Sequence, residues 1–137
     1  MTALSNYAEG QVLNHIFRTT GFTKPTSIYV GLMTAVTDGE AGTITEVTGG
    51  SYARVAVAPL DANWSAPVAG NGTTSNVAAV TFPAATADWG IATHFGIFDA
   101  ATLGNLLIYA PLTAARTITN GSTPSFGAGA LTFQVDN

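Results

Sequence analysis

An all-β antiparallel sandwich, jelly-roll-like and preceded by one α-helix, is the fold class this sequence predicts. Three observations predict it. Apolar residues recur at helical spacing only between Ser5 and Gly21. Beyond Pro25 the hydrophobic period shortens to two, over about seven or eight short runs. Turn signals rich in Gly, Asn and Pro punctuate those runs at regular intervals, which favours short antiparallel connections. A single domain is expected over residues 1–137, with the helix at 5–20 and the sandwich at 27–135.

The helix has two rival N-caps. Asn6 and Glu9 have capping-box spacing, and Ser5 offers a hydroxyl one residue earlier. Ala8, Val12 and Ile16 recur every four residues, with Leu13 and Phe17 beside them, an apolar stripe of about three to four turns. Gly21 stops the helix and Pro25 prevents its continuation. Gly10 weakens it by about 1 kcal/mol relative to alanine, so a packing partner is required. A stripe this wide is expected to close the bottom of the sandwich, the alternative being that the helix docks on a partner.

Strand periodicity begins at Ser27–Met33, where Ile28, Val30 and Leu32 oppose Tyr29, Gly31 and Met33. Residues 34–50, rich in Thr, Gly and acids, read as a long exposed loop with a short strand near Ile44–Val47. Ala53, Val55 and Val57 alternate next, and 61–69 is irregular. Asn71-Gly72 is a tight turn. Val77–Phe82 is a strand ended by Pro83. In Ile91–Phe98, Ile91, Phe95 and Ile97 are expected inward, with His94 and Phe98 on the reverse face. Asp99–Gly104 connects. Asn105–Leu112 is apolar on both faces, Leu106 and Ile108 opposing Leu107 and Tyr109, so both faces are expected to be covered. A shorter strand, Arg116–Thr119, turns at Asn120-Gly121. In the last, Leu131, Phe133 and Val135 oppose Thr132, Gln134 and Asp136.

Charge depletion is the informative part of the composition. Only 9% of residues are charged, against about 25% in an average soluble domain. Such a surface is expected to be covered by neighbouring subunits, because interface cores are depleted in charge. Four Lys and Arg against eight Asp and Glu cannot build a phosphate-neutralising stripe, so direct nucleic-acid binding is not expected. No signal peptide is read at Met1–Asn6, and no apolar run is long enough to span a membrane. The absence of cysteine excludes disulfides and thiolate metal sites.

No catalytic, cofactor or metal site is expected. His15 reads as a solvated helix residue and His94 as a partly buried ring satisfied by hydrogen bonds. No Gly-x-Ser-x-Gly elbow positions a nucleophile. Two distant histidines without cysteine make a poor zinc site. Asp38-Gly39-Glu40 lacks the ladder of a calcium loop. Asp61, Asp88 and Asp99 sit at turns, where an Asp side chain bonds nearby backbone N–H groups. Gly49-Gly50 is a turn without the lysine of a phosphate cradle. The residues that remain as possible interface are Tyr52, Trp64, Trp89 and Arg54, the last pairing with Glu46, Asp88 or a neighbouring subunit. Loops 34–50 and 61–76 are the expected contact loops.

Several segments, taken in order, carry a resemblance. They are Thr45-Glu46-Val47, Gly50-Ser51-Tyr52-Ala53-Arg54, Phe82-Pro83, Ala85-Thr86-Ala87-Asp88-Trp89-Gly90, Thr93-His94-Phe95-Gly96-Ile97-Phe98-Asp99-Ala100 and Gly104-Asn105-Leu106-Leu107-Ile108-Tyr109. From about Ser27 onward the chain resembles a family of small tailed-bacteriophage virion proteins, labelled tail fibre protein or capsid cement (decoration) protein. The resemblance implies a β-rich domain that binds virion proteins, such as the major capsid protein, and forms homotrimers. One compact unit without shaft repeats favours a cement role on the capsid exterior over a tail fibre or tail adaptor. A carbohydrate-binding adhesin using Trp64, Tyr52 or Trp89 is the reading from another class.

Overall fold

The computed structural model describes residues 2–135; Met1, Asp136 and Asn137 lie outside them. Pairing begins with β1 (Ala3–Leu4), β2 (Ile28–Asp38), β3 (Thr43–Glu46) and β4 (Val55–Val57). β7 (Gly90–Phe98) and β8 (Leu106–Ile118) complete a six-stranded antiparallel sheet in the order β1-β8-β7-β2-β3, with β4 also on β2. β3 and β4 lie end to end along one edge of β2, β3 against 33–38 and β4 against 28–30. Two ribbons form the other layer. β5 (Thr73–Ser75) pairs with β10 (Thr132–Gln134), and β6 (Val80–Thr81) with β9 (Ser125–Phe126).

The two layers meet in an aromatic core. Phe95 of the sheet touches Phe126 of one ribbon and Phe133 of the other, at ring separations of 5.5 and 5.7 Å. Val30, Leu32, Ile97 and Leu107 join them, with Phe82 and Trp89 at the far end. Buried Asn76 ties the ribbons together: its amide donates to Ala78 and Gly127 carbonyls and its carbonyl accepts from Leu131 N, each at 2.8 Å. The reverse face of the sheet carries a second, smaller cluster of Met33, Phe98 and Leu106.

The sandwich with one N-terminal helix is as expected, and so is the alternation in β2: Val30 and Leu32 face the main core, Met33 the second. Several local expectations are corrected. β2 runs on to Asp38 and turns into β3, because Val36 pairs with Ile44 and sheet pairing overrides the loop-like composition of 34–38. Asn105–Leu112 and Arg116–Thr119 are parts of one strand, β8. Ala92 faces Arg116 while His94 faces Pro111, so residues 112–115 of β8 stand against the single residue Thr93. This irregularity shifts the side-chain phase by one. Ala92 is therefore buried and Ile91 exposed, the reverse of the expectation. A second bulge makes Leu107 the extra residue between Ile108, opposite Ile97, and Leu106, opposite Phe98. Leu107 and Ile108 consequently share the main core, while Leu106 and Tyr109 pack on the reverse face. Val77 and Val135 are exposed.

The helix α1 (Asn6–Phe17) is capped by Ser5, which accepts from Ala8 N at 3.2 Å, and it ends at Arg18. Its stripe does not close the sandwich. Ala8 alone is buried, and Gly10, Gln11 and Asn14 are half-buried toward the domain. Exposure rises from 44% at Val12 through Leu13 and Ile16 to 77% at Phe17. The start of the helix is tied to the domain, and the chain after its end folds back onto it. Ser5 N donates to Leu107 O at 3.0 Å, Asn6 N to Glu40 O at 2.9 Å, and Phe22 N to His15 Nδ1 at 3.2 Å.

One position tests the packing of the reverse face. Gly31 pairs directly with Gly96, and a Cβ on Gly31 would stand 2.8 Å from the Phe98 ring and 3.1 Å from the Glu46 carboxylate. Gly31→Ala is expected to cost about 1–3 kcal/mol by overpacking, read as a lower midpoint in urea unfolding.

Candidate interaction surfaces

Above the paired glycines lies the chain's one described ion pair, which is built like a clasp. β2 leaves a gap between β3 and β4, and the backbone of Leu32 fills it with outside partners. Leu32 O accepts from Val47 N at 3.0 Å, and Leu32 N donates to the Tyr52 hydroxyl at 2.8 Å. That hydroxyl donates in turn to Glu46 Oε1 at 2.8 Å. Arg54 grips the same carboxylate with both arms of its fork, Nε to Oε1 at 2.8 Å and Nη2 to Oε2 at 2.7 Å. Its Nη1 donates to the carbonyls of Ala100 (2.7 Å) and Leu103 (2.8 Å), and the guanidinium lies 3.5 Å over the Phe98 ring. Bidentate geometry, cation–π stacking and full use of the carboxylate offset the desolvation of a side chain only 6% exposed.

The clasp holds the loop 99–105 from below, and Asp99 closes it from above. Its two oxygens accept from Asn105 N and Nδ2, both at 2.7 Å. The tip presents Leu103, 87% exposed and in the left-handed region at φ 55°. Turn chemistry also accounts for Asp38, which accepts from Ala41 N at 3.0 Å. Asp88 accepts from Asn120 N at 2.8 Å and so ties two loops distant in sequence together instead of closing its own turn. The Glu46, Tyr52, Arg54, Phe98, Asp99, Ala100 and Asn105 side chains and carbonyls of the resembling segments thus meet at one place.

The four expected interface residues fall into two groups. Tyr52 and Arg54 belong to the clasp, and Arg54 pairs with Glu46 within the domain. Trp89 is buried, edge-on to Tyr52 at 5.2 Å, and its indole donates to Gly50 O at 2.8 Å. Gly50 sits at φ 52°, and a Cβ there would stand 2.8 Å from the indole nitrogen. Tyr52 and Arg54 line a shallow pocket of about 280 Å³ beside Leu103, and Trp64 lines a larger, more apolar cleft. That cleft, of about 700 Å³, is walled by Ile28, Leu60, Pro67, Ile108 and Phe133, with Asp61 at the same wall. Trp64 leans on Phe133 at 5.6 Å, and its buried Nε1 finds no acceptor among the described residues. A second apolar surface, the outer face of α1, was read from the sequence as core.

His94 sits on the reverse face of β7. Its Nδ1 is 2.8 Å from the Thr93 hydroxyl, which is 3.0 Å from Thr34 O. The Met33 carbonyl lies 3.3 Å from the same hydroxyl, so Thr93 joins the His94 ring to the backbone of β2. Burial lowers the His94 pKa from its usual value. Burial also raises the Tyr109 phenol, with help from Glu40, Asp38 and Glu9, which marks the start of the helix as an acidic end. The far end of the helix carries the exposed Arg18 as its C-cap residue.

Residues 3–134 match the model of one protein family, described as Podophage GP4 fiber I protein gp80. No curated protein matches the sequence.

Two measurements probe this arrangement. Arg54→Ala leaves Glu46 without its cation and is expected to destabilise the domain by about 3 kcal/mol. Arg54→Lys should recover only part of this, since lysine cannot serve the carboxylate and two carbonyls in one plane. The second concerns pH. Because the folded state lowers the pKa of His94, the unfolded chain binds the proton more tightly. His94 therefore contributes stability above the ordinary histidine pKa, and that stability is lost as pH falls from there through the folded value. The melting temperature is expected to drop on going from about pH 7 to pH 5, and less steeply in His94→Gln.

Proposed function

The chain belongs to this fibre-protein family, and on that premise we propose that it is a structural, non-catalytic component of a phage virion, serving as a compact module of a tail fibre. The carrying observation is the extent of the match, which runs from Ala3 in β1 to Gln134 in β10 and so covers the folding unit itself. Supporting it, the surface is poor in charge, Arg54 is spent inside the domain, and the outer face of α1 presents unpaired apolar side chains. A virion module of this kind works by mass action: it is held where neighbours cover such surfaces, and many copies turn weak contacts into avidity.

A second reading is capsid cement. One observation favours it, the compact unrepeated body, which suits a plug over capsid joints better than a shaft. In that reading the protein stabilises the head because it binds assembled shell better than free subunits.

Gold-labelled antibody against the purified protein, applied to intact virions, separates the two. Label confined to the tail region is the expected result, and label spread over the head faces would replace the fibre role with cement. Virions that carry none of the chain by mass spectrometry would overturn both. A glycan array supplies the third arm, since strong binding lost in Trp64→Ala would make the module an adhesin.

A further inference from the structure

We propose that the outer face of α1 docks into the Trp64 cleft of a second copy of this chain. The two surfaces are a protrusion and a recess of matching character on one molecule. Val12, Leu13, Ile16 and Phe17 lie on one side of the helix at the i, i+1, i+4, i+5 spacing by which a helix enters an apolar groove. The recess is walled by Leu60, Trp64, Pro67, Ile108 and Phe133, and no residue of α1 is among those lining it. Its volume of about 700 Å³ falls in the range of sites that take up several side chains.

Charge says which partner fits. The chain has only four Lys and Arg. Arg54 is held by Glu46, while Arg18, exposed, directly follows Phe17 at the end of the helix. The cleft offers the opposite sign, Asp61, next to exposed Leu60. A second copy thus brings positive charge to a negative rim and apolar side chains to an apolar wall. A contact of one helix face falls below the roughly 800 Å² per partner of a standard interface. It becomes stable when every copy both gives and receives a helix, as in a reciprocal pair or a closed ring. The contact joins different surfaces of the two copies, so it also explains why the stripe turns outward: the helix is a connector rather than a lid.

Because the chain has no cysteine, single thiols report the contact cleanly. Full-length Ile16→Cys and Leu60→Cys chains are mixed at equal concentration and treated with a short bis-maleimide. The expected product is a mixed dimer, with neither variant cross-linking efficiently alone. Ile16→Cys homodimers as the main product would mean that helix meets helix, which overturns the proposal. So would the absence of any cross-link. In parallel, sedimentation of wild type should show association that weakens roughly tenfold or more in Phe17→Asp. Phe17 is exposed, so an unchanged circular dichroism spectrum and melting temperature are expected for that variant. A wild type that stays monomeric at high concentration, or a Phe17→Asp variant that associates as wild type does, would also overturn it. The outcome is independent of where in the virion the module sits.

Discussion

The reverse face of the sheet is organised around one constraint, a charged guanidinium taken almost wholly out of water. An isolated cation there would be prohibitively unfavourable, so everything around Arg54 is arranged to satisfy it. Glu46 supplies two acceptors, Ala100 and Leu103 supply two carbonyls, and Phe98 supplies a ring face. The paired glycines at 31 and 96 keep the floor shallow enough for Phe98 to lie flat. Tyr52 links the clasp to the sheet by replacing the missing backbone neighbour of Leu32. A pair of this kind adds specificity more than net stability, because it has only one arrangement in which no charge is left unpaired. Here that arrangement fixes the loop 99–105 relative to β2 and β4.

The same strands that carry the clasp decide which side chains enter which core. Two irregularities between β7 and β8 shift the alternation, one at Thr93 and one at Leu107. Without them, Ile91 would point inward and Leu107 would point to the reverse face. With them, the sheet bends over the ribbons, and Phe95, Phe126 and Phe133 close the space between. Thr93 at the first irregularity bonds both Thr34 and His94, so the bulge is tied into the hydrogen-bond network rather than left open.

A domain so poor in charge must limit its own exposed apolar area or give it to a partner. Most of the surface follows the first course through small polar residues. Under the proposed contact, the outer face of α1 and the cleft beside Trp64 follow the second. Backbone bonds at Ser5 and Asn6 hold the start of the helix to the domain, which leaves the side-chain stripe free. In a virion module, partners present at high local concentration cover such surfaces without requiring high intrinsic affinity.

The fold class was legible in the sequence because period and turn chemistry are local: the shift from helical to strand spacing at Pro25 and the turns at Asn71-Gly72 and Asn120-Gly121 need no tertiary information. The pairing of Arg54 with Glu46 could be named as one option of three, and the turn role of Asp99 followed from residue type, while the partner of Asp88, Asn120, was out of reach of local reasoning. Tertiary structure decided the rest. A bulge changes side-chain phase without a sequence signature at Thr93 or Leu107, because pairing register belongs to two strands at once. A helix stripe says that apolar residues share a face, while the bonds of Ser5 and Asn6 to distant parts of the chain decide which way that face turns.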